Sequence, residues 1–345
     1  MNFNPLLEKY LSENTKLALT TKRDYENKIS RFLSWLEENK IKEPKKEHVA
    51  AFQKTLFSRE NKKNLMSPAS ANSYLVPIKR FFVYLDKNDI YPNVASSIEL
   101  EKVEKKHRKD PLDIDEARNL LQSIGGYYDD TAFAKSKVID TTSRDWMQLE
   151  KMWGECKCRD FAIGQLAIHT GLRLIEITRA NIEDIRIQKV RIEEKQFKKH
   201  CLYIQGKGRT TKDEFVYLQE HVYDSIMDYL RIRYEGKKQI LSDPLFTGAG
   251  KGSKGKRLNA QTTSKFFKKI LRNSGIINAK DDNDKRLSFH SLRHTAATLA
   301  LEMDVPLEKV RQMLRHANIS TTEIYTNGME RKIDPAEFGI NLGEN

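Results

Sequence analysis

The chain has 345 residues, a length that favours two domains over one. Hydrophobic residues make up 39% of it, enough to bury ordinary cores, which excludes an intrinsically disordered chain. Its 61 lysines and arginines outnumber its 48 acidic residues, and the formal net charge of +13 fits a polyanionic partner such as nucleic acid. Charge alone does not distinguish such a partner from a lysine-rich soluble surface.

The N-terminus and the cysteines indicate a cytoplasmic protein. Residues 1–5 lack the start of a signal peptide, and no apolar run approaches the length of a membrane span, so we expect no membrane partner. The three cysteines, Cys156, Cys158 and Cys201, are an odd number, which argues against a disulfide framework. Because no second Cys/His pair accompanies Cys156 and Cys158 at metal-ligand spacing, the sequence predicts free thiols and no metal site.

Four amphipathic helices are predicted over residues 1–100. The clearest runs to about Asn39, with apolar residues recurring at helical spacing. Ser67 and Pro68 read as the cap and first residue of the fourth helix, and Pro77 inside it should kink or split it. Stripes of this kind predict a small all-α domain.

A charged run without apolar periodicity, residues 101–110, reads as a linker to a second domain that begins at Pro111. There Asp113 and Glu116 have the spacing of a capping box. We expect Gly125 and Gly126 to end that helix. Residues 127–157 have only weak periodicity and no assignable role, and a clear apolar helix is expected over residues 160–172.

Alternating residues further on predict a small antiparallel sheet. Residues 202–204 and 215–218 read as strands around a Gly-Lys-Gly turn that carries Lys207 at its tip. Residues 248–257 contain the glycine and lysine spacing of a phosphate-binding loop, but Arg257 stands where that loop needs Ser or Thr. We therefore expect a flexible basic loop, no ATP site and no cofactor. The predicted fold is mainly α with a small antiparallel sheet.

Four side chains near the C-terminus could act together on a phosphodiester. His290 and Arg293 are three residues apart, so a helix would place them on one face; the adjacent His294 should point off that face and be structural. His316 follows in Leu314-Arg315-His316, and Tyr325 comes nine residues later.

The order and spacing of these residues resemble the C-terminal signature of the tyrosine recombinases, the phage-integrase, Xer-type and Cre-like family. Upstream, Arg173 and Glu176 stand in a Thr-Gly-Leu-Arg-x-x-Glu setting like that of the family's first catalytic arginine. The Lys207 turn resembles its catalytic lysine loop. The resemblance implies a DNA core-binding domain over residues 1–100 and a catalytic domain over residues 111–326. Relative to the family, residues 127–157 look like an insertion.

The resemblance also implies the chemistry. Tyr325 would attack the phosphodiester to form a 3′-phosphotyrosyl bond, and rejoining would need neither metal nor ATP. Arg173 and Arg293 would bind the phosphate oxygens, because a guanidinium presents a fork of donors to them. The remaining assignments are His316 as a further phosphate ligand, His290 as an aid to the tyrosine, Lys207 as the acid for the leaving oxygen, and Glu176 as a brace.

The implied partner is double-stranded DNA with short inverted-repeat sites, bound by a homo-tetramer on two sites in the nucleoid. Accessory DNA-bending proteins are further expected partners, and residues 327–345 should dock on a neighbouring subunit. Because the helical domain starts near Met1, we expect no separate arm-binding domain. Candidate DNA contacts in the helical domain are Lys22, Arg23, Lys28, Arg31, Lys79 and Arg80. Two alternatives remain: a type IB topoisomerase-like enzyme that nicks and reseals, and a catalytically silent DNA-binding protein.

Overall fold

The structure, a computed structural model, describes residues 1–57, 66–102, 110–192, 195–206, 211–276, 287–316 and 322. The chain divides into two compact units, Met1–Lys105 and Lys106–Asn345. The described residues form eleven α-helices and a three-stranded antiparallel sheet, which confirms the predicted fold class. Nowhere in these ranges is a helix both long and apolar enough to cross a bilayer.

The first unit is helical because each of its helices buries one apolar stripe in a shared core. Its helices are α1 (Asn4–Glu13), α2 (Leu19–Glu38), α3 (Lys46–Phe57) and α4 (Pro68–Lys87). The largest of the fully buried side chains in this core are Tyr10, Phe32, Phe52, Phe81 and Phe82. Ser67 caps α4, its hydroxyl accepting from the backbone N–H of Ser70 at 3.3 Å.

Pro77 does not split α4, contrary to one of the two expectations from the sequence. The helix is continuous from Pro68 to Lys87, and Pro77 lies inside it with its ring buried. A proline removes one backbone hydrogen bond. Burial of Leu75 and Ile78 on either side of it, both 0% exposed, offsets that loss.

The second unit surrounds its core with seven helices and one sheet in the described residues. The helices are α5 (Ile114–Ser136), α6 (Arg144–Thr170), α7 (Leu174–Arg179), α8 (Glu220–Arg233), α9 (Ala260–Asn273), α10 (Phe289–Glu302) and α11 (Leu307–Leu314). The strands are β1 (Ile185–Ile192), β2 (Lys195–Ile204) and β3 (Glu214–Tyr217), in the order β1-β2-β3.

The helices α5 and α6 are longer than the sequence indicated. Gly125 and Gly126 do not end α5, which begins at the Asp113–Glu116 capping box and continues to Ser136. Tertiary packing overrides the glycines, because Tyr128 beyond them is buried and its hydroxyl donates to Asp160 Oδ2 on α6 at 2.5 Å. The weakly periodic residues 127–157 therefore lie mostly in two helices that pack against each other.

Residues 248–257 form a turn whose ends are joined by backbone hydrogen bonds. The N–H of Gly248 donates to the carbonyl of Lys256 at 2.9 Å. Arg257 donates to the carbonyls of Thr178 and Ala180, both at 2.9 Å. This arginine therefore fixes the end of α7, the short helix that follows Arg173, to the strand-like segment before α9.

Candidate active site

Arg173 is positioned by a sharp turn at the end of α6. Gly171 caps that helix in the left-handed conformation, with φ +61°, and its N–H donates to the carbonyl of Ala167 at 3.0 Å. The chain then starts α7 at once, with Arg173 as its first flanking residue. The Arg173 side chain remains 30% exposed, so its guanidinium can be reached from solvent.

Glu176 is the buried counter-charge of this turn. It is 2% exposed, and its carboxylate accepts from Arg173 twice, from Nη1 at 3.0 Å and from the backbone N–H at 2.8 Å. It accepts in addition from Arg315 Nη2 at 2.9 Å. One carboxylate thus holds two guanidinium groups that are far apart in sequence.

Arg293 joins the two motifs on either side of it. Its guanidinium is 2% exposed, and it donates to the carbonyl of Gly171 at 2.5 Å and to the carbonyl of Leu314. Gly171 is two residues before Arg173, and Leu314 is two residues before His316. The two carbonyl bonds therefore bring the Arg173 turn and the His316 turn together.

His316 lies in this site with most of its surface buried. The ring Nδ1 is 3.0 Å from the hydroxyl of the fully buried Thr322, and the carbonyl of His316 accepts from Arg311 Nη1 at 2.8 Å. Burial and, after it, the positive charges of Arg293 and Arg173 together lower the pKa of His316 to about 4. At neutral pH the imidazole is therefore neutral.

His290 and His294 contact each other on α10, contrary to the expectation that His294 points away. Their ring centroids are 4.9 Å apart with the planes at 89°. Residues four apart on a helix share a face, which explains the contact. His294 is buried and His290 is exposed, and the charge of His290 contributes to the lowered pKa of His316. His290 thus lies at the accessible side of the same cluster.

Two of the predicted site residues lie outside the described part of the chain: Lys207 and Tyr325. The described strands before and after residues 207–210 are β2 and β3, which pair antiparallel as predicted for a hairpin. Within the described residues, no cluster of three or more His, Cys, Asp or Glu side chains has the arrangement of a metal site.

The candidate DNA contacts of the first unit lie on α2 and α4, and four of the six are engaged within the fold. Lys28 pairs with Asp24 at 2.6 Å, and Arg31 Nη1 donates to the hydroxyl of Tyr74 at 3.2 Å. Lys79 donates to the carbonyl of Ile98 at 2.6 Å, and Arg80 Nη1 to the hydroxyl of Tyr25 at 2.9 Å. Lys22 and Arg23 lie at the start of α2, Lys22 half-buried and Arg23 exposed. A DNA phosphate would compete with these internal partners.

Sequence reasoning missed Arg315 and Thr322, which contact the proposed site residues Glu176 and His316. Arg315 follows the last residue of α11, a position where Gly or Asn is usual. That departure was a signal for Arg315, and the signal for Thr322 was its place in the motif Ile319-Ser320-Thr321-Thr322-x-x-Tyr325.

Comparison with known proteins places this chain in a family. The model of the phage integrase family matches residues 143–331, and that of the phage integrase N-terminal SAM-like domain matches residues 6–89. Among relatives, the chain is similar to tyrosine recombinase XerC of Caldanaerobacter subterraneus subsp. tengcongensis, 29% identical over 77% of this chain and 61% of that protein. It is also similar to tyrosine recombinase XerD of Lacticaseibacillus casei, 26% identical over 92% of this chain and 91% of that protein.

A solved structure supports the fold assignment. The structure of the XerH site-specific recombinase bound to palindromic difH substrate, a post-cleavage complex, matches with a TM-score of 0.62. The match covers 96% of this chain and 83% of that one, at 20% sequence identity, so it supports the fold alone. Together with the family match across more than half of its residues, these likenesses confirm the resemblance drawn from the sequence, and the chain belongs to the phage integrase family of tyrosine recombinases.

Proposed function

We propose that this chain is a site-specific DNA recombinase that cleaves and rejoins DNA through a 3′-phosphotyrosyl intermediate, in integration, excision or dimer resolution. The observation that carries the proposal is the junction at Arg293, whose two carbonyl bonds hold the Arg173 and His316 turns in one basic site. The names of the relatives, tyrosine recombinases XerC and XerD, support the same reaction.

The proposed phosphate ligands suit a transition state with added negative charge. Arg173 is partly exposed and braced by Glu176, which orients its fork of donors in advance. Arg293 is held at the junction of the Arg173 and His316 turns by its bonds to two carbonyls, which adds a fixed positive charge to the site. If the Thr322 hydroxyl donates to Nδ1 of His316, the neutral ring carries its proton on Nε2. That N–H then donates a hydrogen bond to the phosphate.

In the proposed reaction the Tyr325 oxygen attacks phosphorus while the bond to the 5′-oxygen breaks. A free phenol has a pKa of about 10, so Tyr325 needs a base or a positive field to attack at neutral pH, and His290 and the arginines supply these in the proposed reaction. Lys207 gives a proton to the departing 5′-oxygen. Attack by another strand's 5′-hydroxyl reverses each step and releases Tyr325, so the bond energy is conserved without ATP or a metal.

We further propose that residues 1–100 bind one side of the DNA and that residues 111–326 form the catalytic domain, joined by residues 101–110. Four copies would assemble on two inverted-repeat sites in the nucleoid, with residues 327–345 docking on a neighbour. Removing the chain after Asn327 should abolish assembly on DNA, as measured by light scattering of the complex. Normal assembly and recombination by the shortened chain would contradict the docking.

The decisive experiment tests Tyr325 directly. Duplexes that bind the protein are selected from a random-sequence DNA library and prepared with a nick, so that a cleaved strand is trapped. The wild-type chain should form an SDS-resistant adduct with selected duplexes in EDTA and without nucleotide. Tyr325→Phe should form none, because the nucleophilic oxygen is missing. Tyr217→Phe is the matched control, since Tyr217 is exposed on β3 and the change removes only a hydroxyl.

An adduct formed by Tyr325→Phe, or none formed by the wild-type chain on any selected duplex, would contradict the proposal. A two-site assay run beside supercoil relaxation then separates recombination from nicking and resealing. Exchange between two sites supports a recombinase, whereas relaxation without exchange would favour the topoisomerase-like alternative.

A further inference from the structure

Arg315 has an unfavourable backbone conformation. It caps the C-terminus of α11 with φ 56° and ψ 43°, the left-handed region in which a side chain crowds the following carbonyl. Glycine adopts this conformation freely and is the usual residue at such a helix end. The backbone conformation therefore does not explain an arginine at this position, which points to a role for its side chain.

The guanidinium of Arg315 lies between two carboxylates from distant parts of the chain. Its side chain is only 11% exposed; Nη2 donates to Glu176 at 2.9 Å, and Nε lies 3.7 Å from a carboxylate oxygen of Glu214. Nη1 donates to the carbonyl of Met313 at 2.9 Å, which fixes the guanidinium in place. Turned inward in this way, Arg315 is unsuited to bind a phosphate itself.

Each of the two carboxylates is connected to a different proposed catalytic group, Glu176 by contact with Arg173 and Glu214 by its place in the chain after Lys207. Glu176 holds Arg173 by its side chain and by its backbone N–H. Glu214 is the first residue of β3, the strand by which the chain returns from the Lys207 turn. Lys212 is anchored to Asp184, so the start of β3 has a second ionic tie. Arg315 itself immediately precedes His316.

We propose that Arg315 is a positioning residue that sets the Arg173 guanidinium, through Glu176, against the start of β3 and beside His316. The inference rests on the proposed function, since its readout is the same DNA cleavage. In the absence of the Arg315 guanidinium, Glu176 and Arg173 keep their own pair but lose the tie to α11 and β3. The expected consequence is a misplaced phosphate ligand in a protein that still folds and still binds DNA.

The test is Arg315→Gly, which removes the side chain and supplies the residue that the backbone favours. Single-turnover adduct formation on the selected nicked duplexes should slow on the order of 10- to 100-fold, the range expected for a small displacement of a catalytic group. The dissociation constant for the same duplex should change less than about two-fold, because Arg315 is turned away from solvent. Lys40→Gly is the matched control, since Lys40 has φ 57° in the first unit and the same backbone change there should leave cleavage unaltered.

A double-mutant cycle with Glu176→Gln tests the route of the effect. If Arg315 acts through Glu176, the double variant should be no slower than the slower of the two single variants. The inference would be overturned if the slowing in the double variant equalled the product of the slowings in the two single variants. It would also be overturned if Arg315→Gly formed the adduct within two-fold of the wild-type rate. If thermal unfolding shows that Arg315→Gly is not folded, Arg315→Lys replaces it. A lysine keeps the charge but lacks the planar guanidinium, so the same slowing is expected.

Different results would contradict the proposed function and the positioning role of Arg315. If the wild-type chain forms no adduct, the proposed function fails. If the wild-type chain and the Lys40→Gly control cleave and Arg315→Gly cleaves equally well, only the positioning role of Arg315 fails.

Discussion

Gly171 is the position where a single methyl group should disturb the site most directly. With φ +61° it lies in a region that alanine adopts at a cost of about 1–2 kcal/mol. A Cβ there would lie 2.6 Å from Cδ2 of Leu314 and 3.5 Å from Cβ of Ala296. Overpacking of this kind costs roughly 1–3 kcal/mol in addition, because Leu314 is fully buried and has little room to move.

The sum for Gly171→Ala is a destabilisation of about 2–5 kcal/mol. In a unit of this size that corresponds to a fall in the unfolding midpoint of roughly 5–15 °C, measured by calorimetry or circular dichroism. The carbonyl of Gly171 also accepts from Arg293, so adduct formation should fall even at temperatures where the variant is folded.

Gly154→Ala is the internal control, because Gly154 lies inside the same helix, α6, and nothing stands within 4 Å of an added Cβ. We expect it to be stabilised by about 0.5–1 kcal/mol. In a Leu314→Ala background the clash disappears, and Gly171→Ala should then cost only the backbone part, about 1–2 kcal/mol. A Gly171→Ala protein with the wild-type unfolding midpoint would show that neither the backbone conformation nor the contact with Leu314 opposes a Cβ at this position.

Three further predictions concern pH and local contacts. The pKa of His316 is about 4 in the folded chain and near 6.5 in the unfolded chain, so the stability that this group contributes is present above pH 6.5 and is lost as the pH falls towards 4. Over that interval the unfolding free energy of His316→Gln should therefore fall by about 3 kcal/mol less than that of the wild type, as measured by denaturant titration. Parallel curves for the two proteins would contradict the lowered pKa. Asp113→Ala removes the acceptor for the N–H of Glu116 and should destabilise by about 1 kcal/mol in urea unfolding; an unchanged midpoint would mean that the cap is dispensable. Tyr128→Phe takes a donor from the buried Asp160 and should cost about 1–3 kcal/mol, whereas a neutral result in the same assay would show that the carboxylate is satisfied without it.

Local sequence signals predicted the elements well where the relevant contacts are close in the chain. The Asp113 capping box and the Ser67 cap depend on residues within a few positions of one another. The wrong prediction at Gly125 and Gly126 has the opposite origin. Nothing near those glycines indicates that Tyr128 will bond Asp160, 32 residues away, and hold the helix together across them.

The same distinction applies to the site. Its six proposed catalytic residues were predicted from ordered motifs, and these roles remain predictions to be tested on Tyr325 and its partners. Geometry added what spacing could not give: Arg293 is buried against two carbonyls, and His294 contacts His290. The sequence shows that a residue is arginine but not whether its guanidinium binds a phosphate or a peptide carbonyl.

The family, the fold class and the residue types available for chemistry could all be predicted from ordered motifs and hydrophobic periodicity, because these are properties of neighbouring residues. How those groups are held depends on contacts between distant parts of the chain. The bond from Arg293 to Gly171 spans 122 residues, and that from Arg315 to Glu176 spans 139. The low pKa of His316 likewise depends on burial and on arginines brought from elsewhere in the chain. Such contacts form only when the unit folds, since no local preference draws residues so far apart together.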